Sequence, residues 1–163
     1  MPIFDMSLEE LRAYRPPLTC QPDFASFWQE TLTLGRQGPL DATFTPYDYP
    51  LRNATLYDVR YTGWNGARIA AWYIRPSGPG PFPAVVVYHG YGGSKGHPHH
   101  HFVWTLQGYA VLAVDTRGQS GASTDPTPYS SGHVKGWMTA GILDPQEYYY
   151  RGAYVDCVRA LDV

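Results

Sequence analysis

The stretch AVVVYHGYGG at residues 84–93 decides the fold. Its first five residues form an uninterrupted apolar run rich in valine, which is typical of a strand covered on both faces in a parallel sheet. The next five residues, HGYGG, form a glycine-rich turn at the carboxyl end of that strand, where open α/β sheets bind their ligands. The sequence therefore predicts an α/β protein with a functional turn directly after residue 88.

A second apolar run, YAVLAV at residues 109–114, lies downstream of this turn. Between the two runs we predict a helix over residues 98–107, with Gly108 in the C′ position after its last turn. Strand, helix and strand then form a right-handed crossover that makes the two strands parallel.

An antiparallel hairpin precedes the crossover. Residues 57–61 alternate between aromatic or apolar and charged side chains, and residues 69–74 are apolar and aromatic. The turn signal GWNG at residues 63–66 separates the two segments, so they are predicted to pair as a hairpin.

Two helices are predicted near the amino terminus. Ser7 and Glu10 form a capping box that starts a helix over residues 8–14, which must stop before Pro16. Pro22 and Asp23 open a second helix that ends near residue 35.

A long loop follows the second buried strand, over residues 115–143, and loops of this length in a domain are usually functional. After it, Asp144 is predicted to cap a helix that has Pro145 at its first position and Glu147 at its third. The apolar face of this helix is predicted to contain Tyr150, Tyr154, Cys157, Val158 and Leu161.

A crossover helix delivers the chain to another strand of the sheet, so we expect a further strand beside residues 84–88. The fold prediction is the N-terminal part of a single α/β-hydrolase domain, incomplete as given. It has a helical extension at residues 1–40 and the first strands and helices of the sheet at residues 41–163. Residues 1–163 expressed alone are expected to be insoluble or molten, without esterase activity, because an apolar strand would be left as an open edge.

The composition and charge of the chain limit the classes of partner that the protein is expected to bind. The chain has 163 residues, about one domain, with 44% hydrophobic and 16% charged residues and a net charge of −2. No basic stripe is present for nucleic acid, and no apolar run approaches the ~20 residues that span a bilayer. An acidic start with Asp5, Glu9 and Glu10 is unlike a signal peptide. We therefore expect a cytoplasmic protein without nucleic-acid or membrane partners, in which Cys20 and Cys157 are buried as small hydrophobic residues.

The HGYGG turn suggests an acyl-transfer site. In α/β-hydrolases the equivalent loop provides one of the two backbone N–H groups that bind the oxyanion, and glycine lets the backbone approach the substrate closely. The turn alone is also compatible with an ordinary strand–helix connection or a phosphate cradle. It lacks the spacing of a P-loop and of a dinucleotide-binding fingerprint.

Several further motifs, in order along the chain, make a resemblance specific. They are FDM at 4–6, LEEL at 8–11, DF at 23–24 with FW at 27–28, DTRGQ at 115–119, and GILDP at 141–145 with YYYR at 148–151. Together with HGYGG, they resemble the acetyl xylan esterases and cephalosporin-C deacetylases, the seventh carbohydrate esterase family. The resemblance implies a serine esterase that removes acetyl groups from short xylo-oligosaccharides and related small molecules of the cephalosporin C type. It also implies a cytoplasmic homohexamer without metal or other cofactor.

The resemblance assigns roles to individual residues. The N–H of Tyr91 corresponds to the oxyanion donor, and His89, Gly90 and Gly92 support its loop. The family's Arg-Gly-Gln motif falls on Arg117, Gly118 and Gln119. The family's Gly-x-Ser-Gln-Gly and His-Glu motifs are absent. The nucleophile, the base and the acid are therefore expected outside this chain, together with the remaining half of the domain.

Three other features of the sequence could support different chemistry. Ser120 lies in a loop rather than a strand-to-helix elbow, so we expect an ordinary loop serine. Arg117 could bind a substrate carboxylate, but a hydrogen bond to Asp115 that holds the loop is the preferred interpretation. The histidines at 97 and 99–101 lack a carboxylate and converging ligand spacing, so no metal site is expected.

Two rival functions remain open from the sequence. One is a non-catalytic α/β-hydrolase-like module that binds acetylated sugars or assembles with a partner chain. The other is a metallohydrolase that uses the histidine cluster. The residues that follow Val163 would separate the esterase from the binding module, and metal analysis would test the metallohydrolase.

Overall fold

A five-stranded mixed sheet forms the centre of the structure. The computed structural model describes residues 5–133 and 136–163, and within them the strand order is β1-β2-β3-β5-β4. The strands are β1 Thr43–Pro46, β2 Ala54–Thr62, β3 Arg68–Pro76, β4 Ala84–Tyr88 and β5 Ala110–Val114. The α-helices are α1 Leu8–Ala13, α2 Phe24–Gly35, α3 Phe102–Thr105 and α4 Tyr149–Arg159, with 3₁₀ turns at Trp64–Gly66, Pro98–His101, Trp137–Thr139 and Ala160–Asp162.

The predicted hairpin is confirmed. Strands β2 and β3 pair antiparallel over their whole length, from Ala54 opposite Pro76 to Thr62 opposite Arg68. Asn65 turns the chain with a φ of 50°, a left-handed conformation that asparagine tolerates better than most residues. The short strand β1, which pairs antiparallel with β2, was not predicted because its four exposed residues carry no apolar pattern.

The predicted parallel pair is also confirmed. Strands β4 and β5 run parallel, with Ala84 opposite Ala110 and Tyr88 opposite Val114. Every residue of β5 is buried, because β5 lies between β4 and the hairpin strand β3. In contrast to the prediction of full cover, β4 is only partly buried. Among the described residues β5 is its one neighbouring strand, which leaves the other edge of β4 open as expected.

Helices at the amino terminus agree with the sequence. The Ser7 side chain accepts from Glu10 N–H while the Glu10 carboxylate accepts from Ser7 N–H, so the predicted capping box starts α1. Helix α2 covers the predicted span and ends at Gly35. The predicted crossover helix is a 3₁₀ turn followed by one turn of α-helix, and Gly108 ends it with a φ of 88°.

The last helix differs from the prediction. Helix α4 begins at Tyr149 rather than near residue 144, since the Asp144 carboxylate accepts from Gln146 N–H within an isolated turn. The Glu147 carboxylate points away from the helix and accepts from Ser130 N–H, 3.0 Å away. Without these two side chains at its cap and third position, the segment before Tyr149 does not continue into the helix.

The buried face of α4 is also the opposite of the predicted one. Gly152, Val155, Asp156 and Arg159 are buried, whereas Tyr154 and Leu161 are exposed. Asp156 and Arg159 can face the interior because each is fully bonded there, which a count of apolar residues does not anticipate. The prediction for the cysteines is wrong for Cys20, which is exposed. Cys157 is half-buried, and burial raises the pKa of its thiol to about 12.

The larger core lies on one face of the sheet. It is formed by alternate residues of β2, β3 and β5, by the residue before β3 and by the first residue after α4: Val59, Tyr61, Ala67, Ile69, Ala71, Leu112, Val114 and Ala160. Helix α2 packs outside α4 through Arg151, whose guanidinium lies between the rings of Phe27 and Trp64 at 5.2 and 4.7 Å. These contacts fasten α2 and the hairpin turn to α4, and the Tyr88 hydroxyl at the end of β4 donates to Cys157 O of the same helix at 2.7 Å.

Arg159 joins three segments at the end of α4. Its buried guanidinium donates to the carbonyl oxygens of Thr62, Gly35, Gly38 and Pro39. A positive charge is favourable here because these carbonyls include the carboxyl end of α2. The side chain therefore ties helix α2 and the loop after it to the end of β2.

We predict that Arg159→Met destabilises the full-length protein by about 2–3 kcal/mol, because buried carbonyl oxygens lose their donor. Urea unfolding followed by circular dichroism measures the change. Arg36→Met is the matched control: Arg36 is exposed and pairs with Asp162 at 3.4 Å, so its loss should cost less than about 0.5 kcal/mol. Equal effects of the two substitutions would contradict the role given to Arg159.

Candidate functional site

The HGYGG loop, residues 89–93, follows β4 and is bound to the end of β5. The His89 Nε2 atom accepts from Thr116 N–H at 2.9 Å, so the proton of the neutral ring lies on Nδ1. Nδ1–H in turn donates to Gly90 O at 2.8 Å. The imidazole therefore holds its own loop against the next strand, and both ring nitrogens are used in doing so.

Gly92 is held from both sides. Its N–H donates to Gln119 Oε1 at 2.7 Å, and its carbonyl oxygen accepts from the Ser120 hydroxyl at 2.7 Å. A φ of 73° places this residue in the left-handed region that favours glycine. The adjacent Gly93 N–H donates to Gly90 O at 3.0 Å and closes the turn.

Tyr91 lies at the tip of this turn. Its N–H donates to no acceptor within residues 5–133 and 136–163, in contrast to the N–H groups of Gly92 and Gly93. Its side chain is 55% exposed and meets the Trp137 indole edge to face, with ring centroids 5.2 Å apart. The backbone of Tyr91 is thus fixed by its neighbours while its own N–H stays available to a ligand.

Gln119 connects the loop to helix α4. Besides accepting from Gly92, it donates from Nε2 to the Tyr149 hydroxyl at 2.9 Å, and that hydroxyl donates to Arg117 O at 2.7 Å. Tyr149 is almost fully buried, and burial raises the pKa of its hydroxyl, so it remains a donor at neutral pH. The Arg-Gly-Gln motif therefore positions the HGYGG loop rather than lining open space.

Arg117 does not bind Asp115 as predicted. Its guanidinium is fully buried and donates to both carboxylate oxygens of Asp156, from Nε at 2.6 Å and from Nη2 at 2.8 Å. It also donates to Trp64 O at 2.9 Å and to the Thr127 hydroxyl at 3.2 Å. Burial alone would lower the pKa of Arg117, but the carboxylate of Asp156 raises it above its ordinary value. A local partner was expected, yet the true one lies on α4.

Gly152 leaves the space that Arg117 needs, and Gly118 leaves space for Asp125. Gly118 has a φ of 62°, and Gly152 lies so close that an added Cβ would be 2.8 Å from Arg117 Nη1. A glycine inside the predicted helix was the available sequence signal for this close approach, because glycine costs about 1 kcal/mol relative to alanine there.

Asp115 instead binds Lys95, which lies two residues after the HGYGG loop. The Asp115 carboxylate accepts from Lys95 Nζ at 2.8 Å and from Ala122 N–H at 2.9 Å. Both side chains are buried, and Lys95 Nζ also lies over the Trp72 ring at 4.7 Å. Sequence reasoning missed Lys95, Tyr149, Asp156 and Trp137, since each acts across a long separation in the chain.

Ser120 and the histidines have structural contacts. The Ser120 hydroxyl donates a hydrogen bond to Gly92 O. The rings of His99 and His100 are 4.4 Å apart, His99 Nδ1 is 3.0 Å from the Tyr49 hydroxyl, and His101 Nε2 is 2.7 Å from Lys95 O. Desolvation, with the charges of neighbouring imidazoles, lowers the pKa of His99. In the described part of the chain, no group of three or more His, Cys, Asp or Glu residues is arranged to hold a metal ion.

Comparisons with known proteins agree with one another. Residues 1–163 match the sequence model of the family described as acetyl xylan esterase. The acetyl esterase Axe7A of Xylanibacter ruminicola is 26% identical over 153 residues, which are 90% of this chain and 35% of that protein.

Solved structures share the fold. An acetyl xylan esterase from a Paenibacillus species superposes with a TM-score of 0.90 at 46% identity, over 96% of this chain and 51% of that one. Acetyl xylan esterase 1 from a Thermoanaerobacterium species gives 0.86 at 31% identity, over 94% and 49%. The chain thus has the α/β-hydrolase arrangement of these enzymes and spans about half their length. No helix of the described residues is long and apolar enough to cross a membrane.

The Asp115–Lys95 pair makes the free energy of unfolding depend on pH in the acid range. Burial alone would raise the pKa of Asp115, but hydrogen bonds from Ala122 and Lys95 lower it below the ordinary 3.8. Because the folded pKa lies below the unfolded one, the pair stabilises the fold above about pH 4. That contribution is lost as the pH falls through the folded pKa.

We predict that Asp115→Asn destabilises the full-length protein by about 3 kcal/mol at pH 7, because Lys95 becomes an unpaired buried charge. The free energy of unfolding should also fall less steeply between pH 5 and pH 3 than in the wild type. Urea unfolding across this pH range tests both. Asp23→Asn is the control at pH 7, since Asp23 is exposed and makes no side-chain cap bond. If the free energy of unfolding of Asp115→Asn fell between pH 5 and pH 3 as steeply as that of the wild type, Asp115 would not be the source of this pH dependence.

Proposed function

Because this chain belongs to the acetyl xylan esterase family, we propose that residues 1–163 supply the oxyanion-binding part of a carbohydrate esterase. The substrates are acetylated xylo-oligosaccharides and related acetylated small molecules of the cephalosporin C type. The observation that carries this proposal is the available N–H of Tyr91, on a loop that is held in place by the bonded N–H groups of Gly92 and Gly93.

The proposed reaction is acyl transfer through a serine. Attack on the acetyl carbonyl carbon converts the carbonyl oxygen into an oxyanion, which needs donors that are already in position. The Tyr91 N–H provides one of them, and a second comes from the residue after the nucleophile. A histidine takes the serine proton and gives it to the departing sugar oxygen, and a carboxylate orients that histidine. Water, deprotonated by the same histidine, then attacks the acetyl-serine, which releases acetate and restores the serine hydroxyl. We place serine, histidine and carboxylate outside residues 1–163, because the Gly-x-Ser-Gln-Gly and His-Glu motifs are absent from these residues and the Ser120 hydroxyl donates to Gly92 O.

Assembly and location form a finer part of the proposal. We place the protein in the cytoplasm as a homohexamer on the strength of the family resemblance. Helix α1 supports an assembly role, since it buries none of its residues and exposes the apolar side chains of Leu8 and Leu11. Light scattering of the full-length protein measures the oligomeric state.

The test is acetate release by the full-length protein from acetylated xylo-oligosaccharides. A serine-directed fluorophosphonate should abolish it and label one peptide outside residues 1–163, as identified by mass spectrometry. Label on Ser120 would contradict the placement of the nucleophile. Binding of acetylated sugar without acetate release or labelling would instead support a non-catalytic module.

We predict that Tyr91→Pro, which removes the N–H, lowers kcat by roughly 10²–10³-fold, the usual effect of losing one oxyanion donor. Tyr91→Phe keeps the N–H and the ring, so it should retain most turnover. Steady-state kinetics compares the two variants, and circular dichroism verifies their folds. Equal losses in two folded variants would point to a catalytic phenol and contradict the proposal.

Gln119→Met should lower kcat more than it raises KM, because the variant loses both bonds that position Gly92 against Tyr149. Gln119→Glu is the matched control: its carboxylate can still accept from Gly92 N–H, so it should retain more turnover than the methionine variant. A change in KM alone for Gln119→Met would show that Gln119 contacts substrate rather than positioning the loop.

A further inference from the structure

Trp137 is the feature of the site that the proposed reaction does not use. It lies in the long loop between β5 and α4, within a single 3₁₀ turn. Its Nε1–H donates to Gly118 O at 3.1 Å, directly beside the Arg-Gly-Gln motif. The indole is thereby attached to the same framework that positions the HGYGG loop.

Contacts on three sides fix the plane of the indole. One edge packs against the small core of Tyr129, Ala140, Tyr149 and Ala153. The ring also lies beside Gly92, since a Cβ built on that glycine would be 3.9 Å from it. The Tyr91 ring meets it at an interplanar angle of 72°. Both rings nevertheless retain exposed surface, since Tyr91 is exposed and Trp137 is half-buried.

This arrangement sets two aromatic surfaces next to one available backbone donor. The Tyr91 N–H and the Tyr91 ring belong to the same residue, and the Trp137 ring centroid lies 5.2 Å from that of Tyr91. A sugar ester bonded to that N–H is therefore large enough to reach the two rings. An acetyl group has a single methyl and covers little of such a surface. A pyranose ring is broad and has flat faces of C–H groups with hydroxyls at its rim. Aromatic side chains offer large, rigid contact area to such a shape.

We propose that Trp137, together with the ring of Tyr91, is a specificity-determining platform that binds the sugar ring carrying the acetyl group. The proposal rests on the proposed esterase function and adds to it the part of the chain that selects a sugar as the alcohol component of the ester. The platform acts on substrate choice, and the chemical step stays with the Tyr91 N–H and the nucleophile.

The experiment compares two acetate esters in the full-length protein. One is an acetylated xylo-oligosaccharide, and the other is ethyl acetate, which has no ring; released acid is measured for both. Trp137→Ala should lower the ratio of kcat/KM for the oligosaccharide to kcat/KM for ethyl acetate roughly tenfold. Trp137→Phe keeps a flat ring but loses the bond to Gly118, so its ratio should stay within about threefold of wild type.

Two further variants guard against misfolding and general effects. Trp137→Leu fills much of the volume beside the small core without a flat face, and it should lower the ratio as the alanine variant does. Trp104→Ala is the matched control, because Trp104 is a partly exposed tryptophan that packs on Tyr109, outside this loop. Its ratio should equal that of the wild type.

An unchanged ratio in folded Trp137→Ala and Trp137→Leu overturns the proposal, whatever the loss in overall rate, since a purely structural role affects both esters alike. A second outcome also overturns the proposal. If Trp137→Ala leaves the preference for the sugar ester over ethyl acetate unchanged but alters the preference for acetate over butyrate esters, the rings face the acyl group.

Calorimetric titration with a deacetylated xylo-oligosaccharide separates this proposal from the esterase function. Binding that is weakened roughly tenfold by Trp137→Ala supports the platform even in a protein that releases no acetate. Turnover of ethyl acetate without any dependence of sugar affinity on Trp137 leaves the esterase standing and overturns the platform.

Discussion

Arg117 has no exposed surface, and its guanidinium bonds both carboxylate oxygens of Asp156. Removing two charges from water costs several kcal/mol for each ion, and a buried pair is tolerated only when its remaining donors and acceptors are satisfied. Here they are: the guanidinium also donates to Trp64 O and the Thr127 hydroxyl, while Asp156 accepts from Trp64 N–H. The pair therefore joins the hairpin turn, the loop after β5 and helix α4 at one point.

The position of the HGYGG loop follows from this pair through a short chain of hydrogen bonds. Arg117 places its own carbonyl oxygen, which accepts from the Tyr149 hydroxyl. That hydroxyl accepts from Gln119, and Gln119 accepts from Gly92 N–H. Each link is a hydrogen bond of ordinary length between buried or half-buried groups, so its geometry is well determined. The Tyr91 N–H lies at an exposed turn, and the restraint of the loop on both sides keeps it from finding a partner within the described residues.

The sequence predicts those features that depend on residues close together in the chain better than those that depend on distant partners. Capping at Ser7, the hairpin turn at Asn65 and the apolar run of β5 are local signals, and the structure follows them. The same local reasoning failed for Arg117, since the nearest carboxylate at Asp115 was chosen over one that lies 39 residues away. It failed for α4 because its buried face contains charged residues that are acceptable only once their distant partners are in place. The family resemblance, which rests on motifs along the chain, was confirmed where these local rules were insufficient.

The contacts that fix the HGYGG loop all come from within the chain, from residues of the β5 end, the following loop and α4. Strand β4 leads into this loop and has one edge without a neighbouring strand among the described residues. A strand that paired parallel to that edge would lie about 4.8 Å from β4, and the residues after it would emerge beside Tyr91. A nucleophile carried at that position would meet an oxyanion donor whose geometry is already set by Arg117 and Gln119. The loop then sets the geometry of the site, and the second donor and the nucleophile must be positioned to match it.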